Sequence, residues 1–255
     1  MSIEKESLSE AGVKLGNLTN RWNPKMKPYI AQKRGKLHLL DEQKIIDCFL
    51  YVKPQIEKMV EEDNATILFV GTSPHLSEIV KQAAISCQSP YLVHRWLGGF
   101  LTNFQTISRT IERLKRMIVL QQSEKFATLS KKEQSEIEKK INKSKKVYEG
   151  VLNLPEKPNV LFIVRLNKEA TATREAKRLN IPIIAICNTD GDPDLVEYLI
   201  PGNDYSEKSV SFLINKLAEI INESKLRKSA RLSAEESGAT EGMKKWASSK
   251  EKTRV

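Results

Sequence analysis

The sequence predicts an α/β protein: a parallel β-sheet covered by helices on both faces, with an antiparallel helical hairpin (a coiled coil) inserted part-way along the chain. Three observations predict it. TILFV at 66–70, NVLFIV at 159–164 and IIAIC at 183–187 are short, wholly apolar runs, the pattern of strands buried on both faces. Helical periodicities alternate with them, the order that βαβ units require. Between residues 105 and 150 the alternation stops, and apolar residues recur at heptad spacing instead.

Residues 1–40 read as an irregular, basic extension. WNPKMKP at 22–28 contains two prolines that block regular helix. It reads as an extended strap in which Trp22 and Met26 plug the side of the sheet while Lys25 and Lys27 point outward. YIAQKRGKLHLL at 29–40 reads as two extended runs around a basic hairpin tip at Lys33-Arg34-Gly35. Asp41 caps a helix whose apolar stripe is Ile45, Phe49, Val52, Ile56 and Met59. After the strand at 66–70, Gly71-Thr72 breaks the run, and Ser73-Pro74 reads as an N-cap followed by a first helical residue. Leu76, Ile79, Val80 and Ala83 give that helix its stripe.

Ile107, Ile111, Leu114 and Ile118 form one heptad stripe. Ile137, Ile141, Ser144, Tyr148 and Val151 form another. Gln121–Ser130 has none, so the segment reads as two long helices joined by a turn. Beyond it come the strand at 159–164, an Ala-rich helix at 168–179, the strand at 183–187, and a last helix marked by Val210, Leu213, Ile214, Leu217 and Ile221. Residues 223–255 are polar, Ser-rich and basic, which predicts a disordered tail or one ordered only by a partner. The organisation is thus a basic extension at 1–40, an α/β domain at 41–104 and 151–222, an inserted hairpin at 105–150, and a tail at 223–255.

The chain carries a net charge of +10, which points to an acidic partner. Its distribution is more telling. Residues 1–36 hold eight Lys/Arg against three Asp/Glu, residues 105–150 hold twelve against six, and residues 223–255 hold nine against five. The remainder holds thirteen against eighteen, so the body is mildly acidic and the excess positive charge sits on three appendages. A protein that grips a polyanion through extensions has this pattern. No stretch approaches the ~18–20 unbroken apolar residues of a membrane span. MSIEKESLSE resembles neither a signal peptide nor a transit sequence, so the protein is expected to stay where it is made. The three cysteines Cys48, Cys87 and Cys187 lie far apart among apolar neighbours, which suits reduced thiols rather than disulfides or a zinc finger.

Catalytic signatures are not evident. The chain has no GxxxxGK[ST] and no GxGxxG. Gly71-Thr72-Ser73 before a helix suits either an anion on backbone N–H groups or a capped βα turn. The carboxylate that a receiver-type domain needs at a strand end is replaced by Arg165. His38, His75 and His94 show no metal-ligand spacing. Asp192, Asp194 and Asp204 are weak metal candidates that turn and cap duties explain better. HRWLGGFLTN at 94–103 has two readings. Trp96 is a core residue beside a tight turn, or His94, Arg95 and Trp96 form a face for phosphate and stacking contacts, with glycines permitting close approach.

The segments AGVKLGN (11–17), RWNPKMKPYI (21–30), ILFVGT (67–72), HRWLGGFLTN (94–103) and DPDLVEYLIPGND (192–204) closely resemble the bacterial-type family of ribosomal protein two of the small subunit, from about residue 8 to about 222. The resemblance implies a flavodoxin-like domain with an inserted helical hairpin, seated in the cytoplasm on the solvent side of the small ribosomal subunit between head and body. It implies small-subunit ribosomal RNA and neighbouring ribosomal proteins as partners, including the large messenger-recruiting protein. It implies no enzyme activity, cofactor, membrane or small-molecule substrate. The residues expected to meet RNA are Arg21, Trp22, Lys25, Lys27, Lys33, Arg34, His94, Arg95, Arg109, Arg113, Lys115, Arg116, Lys139, Lys140 and Lys143. Lys145 and Lys146 are expected on the same outer faces of the hairpin. Relatives of this type read AGVHFGH near the start. Here Lys14 and Asn17 replace the two histidines, which removes both from any metal site they would form with the acidic loop. A basic tail also replaces the family's acidic one. The alternative is an α/β phosphate-binding enzyme or receiver-like switch with a coiled-coil arm. It needs a nucleophile, a base or a phosphate loop at the strand ends.

Overall fold

A computed structural model describes the backbone of residues 5–252 and the side chains of residues 5–233. The chain opens with a short helix, α1 (Lys5–Glu10), and strand β1 (Leu15–Leu18). A 3-10 turn over Pro24–Tyr29 leads into the hairpin of β2 (Ile30–Arg34) and β3 (Leu37–Leu40). These strands form a small antiparallel sheet in the order β1–β3–β2. The WNPKMKP segment is therefore not extended. Asn23 accepts from the Lys25 amide and caps the turn, and Pro24 stands at its first position, where a missing N–H costs nothing. Met26 is fully buried, whereas Trp22 is 36% exposed and lies 5.2 Å from the His38 ring, so of the two expected plugs only Met26 acts as one.

Asp41 caps α2 (Glu42–Glu61) by accepting from the Gln43 and Lys44 amides, and Ile45, Phe49, Val52 and Ile56 are buried as their spacing requires. Then come β4 (Ile67–Val70), α3 (Ser77–Ser86) and β5 (Tyr91–Leu92). The α3 helix begins at Ser77, later than the Ser73-Pro74 signal. The Ser73 hydroxyl instead accepts from Arg165, and a turn closed by the Leu76 amide on the Ser73 carbonyl intervenes. The inserted segment forms α4 (Phe104–Gln121), the one-turn α5 (Glu124–Ala127) and α6 (Lys131–Tyr148). The domain resumes with β6 (Val160–Val164), α7 (Ala170–Arg178), β7 (Ile183–Cys187), β8 (Tyr198–Pro201) and α8 (Glu207–Lys252).

The main sheet is wholly parallel, in the order β5–β4–β6–β7–β8. Counted within this sheet alone, that is the 2-1-3-4-5 order of flavodoxin-like folds. Alternate residues divide between its faces. Phe69, Phe162, Val164, Ile184, Ile186 and Ile200 pack under α2, α3 and α8. Leu68, Val70, Leu161, Ile163 and Ala185 pack with α7 and the base of α4. Both faces are therefore dry, which is why β4, β6 and β7 read as continuous apolar runs.

The tail behaves differently from its composition. The α8 helix continues to Lys252 rather than ending near Glu223. No proline interrupts it, and its first turns beyond Glu223 are tied down. Ser224 is buried, Arg227 reaches Glu57 at 2.7 Å and Glu61 at 3.3 Å, and Lys225 donates to the Cys87 carbonyl at 2.7 Å.

Candidate nucleic-acid interface

In a sheet of this order, ligands bind outside the carboxyl ends of the strands, where strand order reverses. Here that point lies between β4 and β6, and the chain's own side chains occupy it. The Thr72 amide and hydroxyl, which an anion would need, donate to the buried carboxylate of Glu169 at 2.8 and 2.6 Å. Arg165 leaves β6 with φ of 64°, in the left-handed region, and sends its guanidinium to the Ser73 hydroxyl at 3.1 Å and over the Tyr205 ring at 5.0 Å. The anion reading of Gly71-Thr72-Ser73 thus gives way to an internal carboxylate.

The amino-terminal strap closes the same edge further along. The Asn17 amide donates to the Thr189 hydroxyl at 3.0 Å, the Asn23 amide to the Thr189 carbonyl at 2.8 Å, and the Asn203 amide to the Val13 carbonyl at 2.9 Å. Gly16 permits this approach, since a Cβ there would stand 2.8 Å from both the His38 carbonyl oxygen and Thr189 Cγ2. Lys14 pairs with Glu42 at 3.0 Å.

The acidic loop serves the strap. Lys25 Nζ lies 3.0 Å from Asp192 and 2.7 Å from Asp194, so this lysine is clamped rather than free. The two carboxylates hold the ammonium pKa above its ordinary value, and Lys25 in turn holds Asp192 below the usual carboxylate range. Asp192 also caps the turn at Pro193–Leu195 by accepting from the Asp194 amide. Asp204 is buried; desolvation first, then the nearby Asp190, pushes its pKa up to about 7. Among the described residues, no three His, Cys, Asp or Glu side chains converge as a metal site.

The HRWLGGFLTN segment is gathered around a single carboxylate, and Trp96 is part of that structural hub. Trp96 Nε1 and the Gly99 amide donate to Glu175 Oε1 at 3.0 and 2.8 Å. The Leu101 and Thr102 amides donate to Oε2 at 3.0 and 3.3 Å. One buried carboxylate on α7 therefore gathers the whole loop, and Gly99, at φ of 83°, turns the chain around it. Burial opposes ionisation of Glu175, but these donors outweigh it and hold the carboxyl below its ordinary value. His94 and Arg95 are exposed and line a cleft with the last turns of α6.

The arm sorts its residues by chemistry. Ile107, Ile111, Leu114 and Ile141 are buried, while Arg109, Arg113, Lys115, Arg116, Lys139, Lys140, Lys143, Lys145 and Lys146 are all exposed. Arg109, Arg113 and Arg116 lie on one face of α4 at i, i+4, i+7. Lys139, Lys143 and Lys146 repeat that spacing on α6. Arg21, Lys27, Lys33 and Arg34 are exposed as well, the last two at the end of β2 beside the turn into β3.

A family model described as ribosomal protein S2 matches residues 8–224, which covers the α/β body, the strap and the arm. The chain belongs to the ribosomal protein S2 family. Among its relatives, the small ribosomal subunit protein uS2 of Bifidobacterium animalis subsp. lactis is 37% identical over 245 residues, 96% of this chain and 80% of the relative. That of Wolinella succinogenes is 39% identical over 239 residues, 94% of this chain and 86% of the relative. That of Endomicrobium trichonymphae is 40% identical over 227 residues, 88% of this chain and 91% of the relative. In this member of the family the crevice of the sheet is filled by the chain's own side chains, and exposed cations lie on the amino-terminal segment, the hairpin tip and the arm.

Proposed function

We propose that this chain is a structural constituent of the small subunit of the cytoplasmic ribosome, binding small-subunit ribosomal RNA and helping to dock neighbouring ribosomal proteins, and that it is not an enzyme. The observation that carries the reading is the family match over nearly the whole folded body. The geometry supports it from two sides. The site where this fold takes ligands is filled by Glu169, Arg165 and the strap. The side chains assigned to RNA on the strap, hairpin tip, 94–95 loop and arm are all exposed, and those on the arm stand opposite an apolar seam.

The division of labour follows. Residues 1–40 hold RNA through Arg21, Lys27, Lys33 and Arg34, with Trp22 available for stacking. Residues 41–104 and 151–222 form the rigid body, 105–150 the arm, and 223–255 a basic extension. Docking of the large messenger-recruiting protein belongs to this reading too. The test is sedimentation of a native lysate through a sucrose gradient, before and after high salt. The protein should travel with small subunits at low salt and be released progressively as salt rises, because binding to phosphates displaces counterions that high salt restores. Migration with free monomer at low salt refutes the assignment.

A further inference from the structure

At the root of the arm, the loop leaving β5 and the last turns of α6 enclose a cleft of about 320 Å³. Small-ligand sites occupy about 300–1,000 Å³, so its size suits one nucleotide-sized group. His94 and Arg95 line it from the loop, Lys143 and Lys146 from α6, and Leu97 and Tyr148 supply an apolar wall. Some fifty residues of chain separate the two sets of cations, and only the return of the arm brings them together. No carboxylate lines the cleft. Among the described residues no ion pair involves Arg95, Lys143 or Lys146, and the acid nearest in sequence, Glu149, is held by Lys81 at 3.2 Å. Lys139 continues the face of Lys143 and Lys146, so a cationic stripe runs down α6 into the cleft. Burial pushes the Tyr148 hydroxyl pKa up while the charge of Arg95, across the same cleft, pulls it the other way.

We infer that this cleft holds an unpaired nucleotide of RNA, with its phosphate against Arg95, Lys143 and Lys146 and its base against Tyr148. A free anion would use the cations and leave the apolar wall idle. A duplex keeps its bases stacked inside and presents only its backbone, so it too leaves Tyr148 unused. An unpaired nucleotide offers both a charge and an apolar plane, and splayed bases stacked on aromatic rings are a common mode of RNA recognition. The inference rests on the RNA-binding reading above and adds the form of RNA recognised.

The test uses the full chain and three probes: a short single-stranded RNA, a duplex of the same length, and inorganic phosphate. Stacking of one base is worth enough that Tyr148→Leu should weaken single-strand binding roughly five- to a hundredfold. Tyr148→Phe should restore it, and duplex affinity should stay unchanged in both variants. Tyr148 also packs at the base of the arm, so Arg95→Glu with Lys146→Glu, at exposed positions, provides a second route: single-strand affinity should fall more than duplex affinity. Equal losses on the two RNAs, unchanged single-strand binding by Tyr148→Leu, or displacement of the single strand by millimolar phosphate each overturn the nucleotide site while leaving the ribosomal assignment intact. A wild-type protein that binds neither RNA at low salt removes the ribosomal reading and this one with it.

Discussion

At the scale of single residues, two carboxylate groupings do what no local pattern announces. Glu175 sits in the Ala-rich helix α7, yet its two oxygens take Trp96 Nε1 and three amides from a loop more than seventy residues away. Nothing in the local pattern of HRWLGGFLTN names this acceptor, because the carboxylate comes from a helix far along the chain. Glu175→Gln turns one oxygen into an amide that faces donors, and should cost about 3 kcal/mol or more, read as a lower melting temperature at neutral pH. Because the native donors depress this carboxyl's pKa, its contribution is present above the unfolded value of about 4.3 and lost as pH falls through the folded value. The gap between wild type and Glu175→Gln should therefore narrow in acid; a gap of constant size from pH 7 to pH 3 contradicts the role. Lys25 makes the second case. It reads as one of a pair of outward lysines, but it bridges Asp192 and Asp194 while Lys27 remains exposed. Lys25→Glu should lower the melting temperature by placing three carboxylates together. Lys27→Glu should leave stability unchanged and weaken RNA binding. Thermal melts beside filter binding separate the two, and identical behaviour of the variants would erase the distinction.

At the scale of elements, heptad spacing marks the arm because a two-helix hairpin can bury only one seam, and that seam imposes its period on the sequence. Ile107, Ile111, Leu114 and Ile141 are buried as that spacing requires. The turn into α6 carries a further signal, Ser130-Lys-Lys-Glu133, which forms a capping box. The elements hidden in the sequence are those whose pattern is too short or too mixed. β5 has two residues, β1 is half exposed, and β8 ends on a proline. The strap misleads for another reason: two prolines exclude an α-helix but suit a 3-10 turn capped by Asn23. The tail from Glu223 to Lys252 shows that polarity does not exclude a helix when the preceding helix and a few ion pairs already hold the chain. For the arm, the separation of seam from charge yields a quantitative expectation. Reversing Arg109, Arg113, Lys139 and Lys143 should leave the melting temperature within a few degrees of wild type. For every RNA phosphate that is no longer neutralised, the slope of log K against log salt should become shallower by roughly 0.7–0.9. Subunit incorporation that survives all four reversals, with no change in slope, would show that the arm does not meet RNA.

At the scale of the whole molecule, the alternation of apolar strands and helices is enough to specify a parallel sheet, and burial on both faces explains why that signal is strong. The same fold hosts enzymes and switches, so architecture alone does not decide function. The family match carries the assignment, and the state of the crevice at the strand ends agrees with it. In this chain the amide at Thr72 is satisfied by Glu169, the central strand ends on Arg165 instead of a phosphate-accepting carboxylate, and a strap running from Val13 to Asn23 is bonded across the ends of β7 and β8. The missing nucleotide motifs are visible in the sequence, but the internal carboxylate that replaces the anion is not, because Thr72 and Glu169 lie 97 residues apart. The charge map points the same way, with an acidic body and basic appendages. A protein built like this should not be stabilised by small anions: millimolar inorganic phosphate, ATP or acetyl phosphate should leave its melting temperature unchanged. A fragment of small-subunit ribosomal RNA should raise it, since any ligand that binds only the folded state adds stability in proportion to log concentration above its Kd. Removing the internal carboxylate sharpens the comparison. Glu169→Ala frees the Thr72 amide and hydroxyl, so a phosphate-induced stabilisation confined to that variant would mark the crevice as an anion site closed by the chain's own side chain. Stabilisation of the wild type by ATP at a concentration where RNA has no effect would instead place the working surface in the sheet crevice and overturn the division between a closed core and charged extensions.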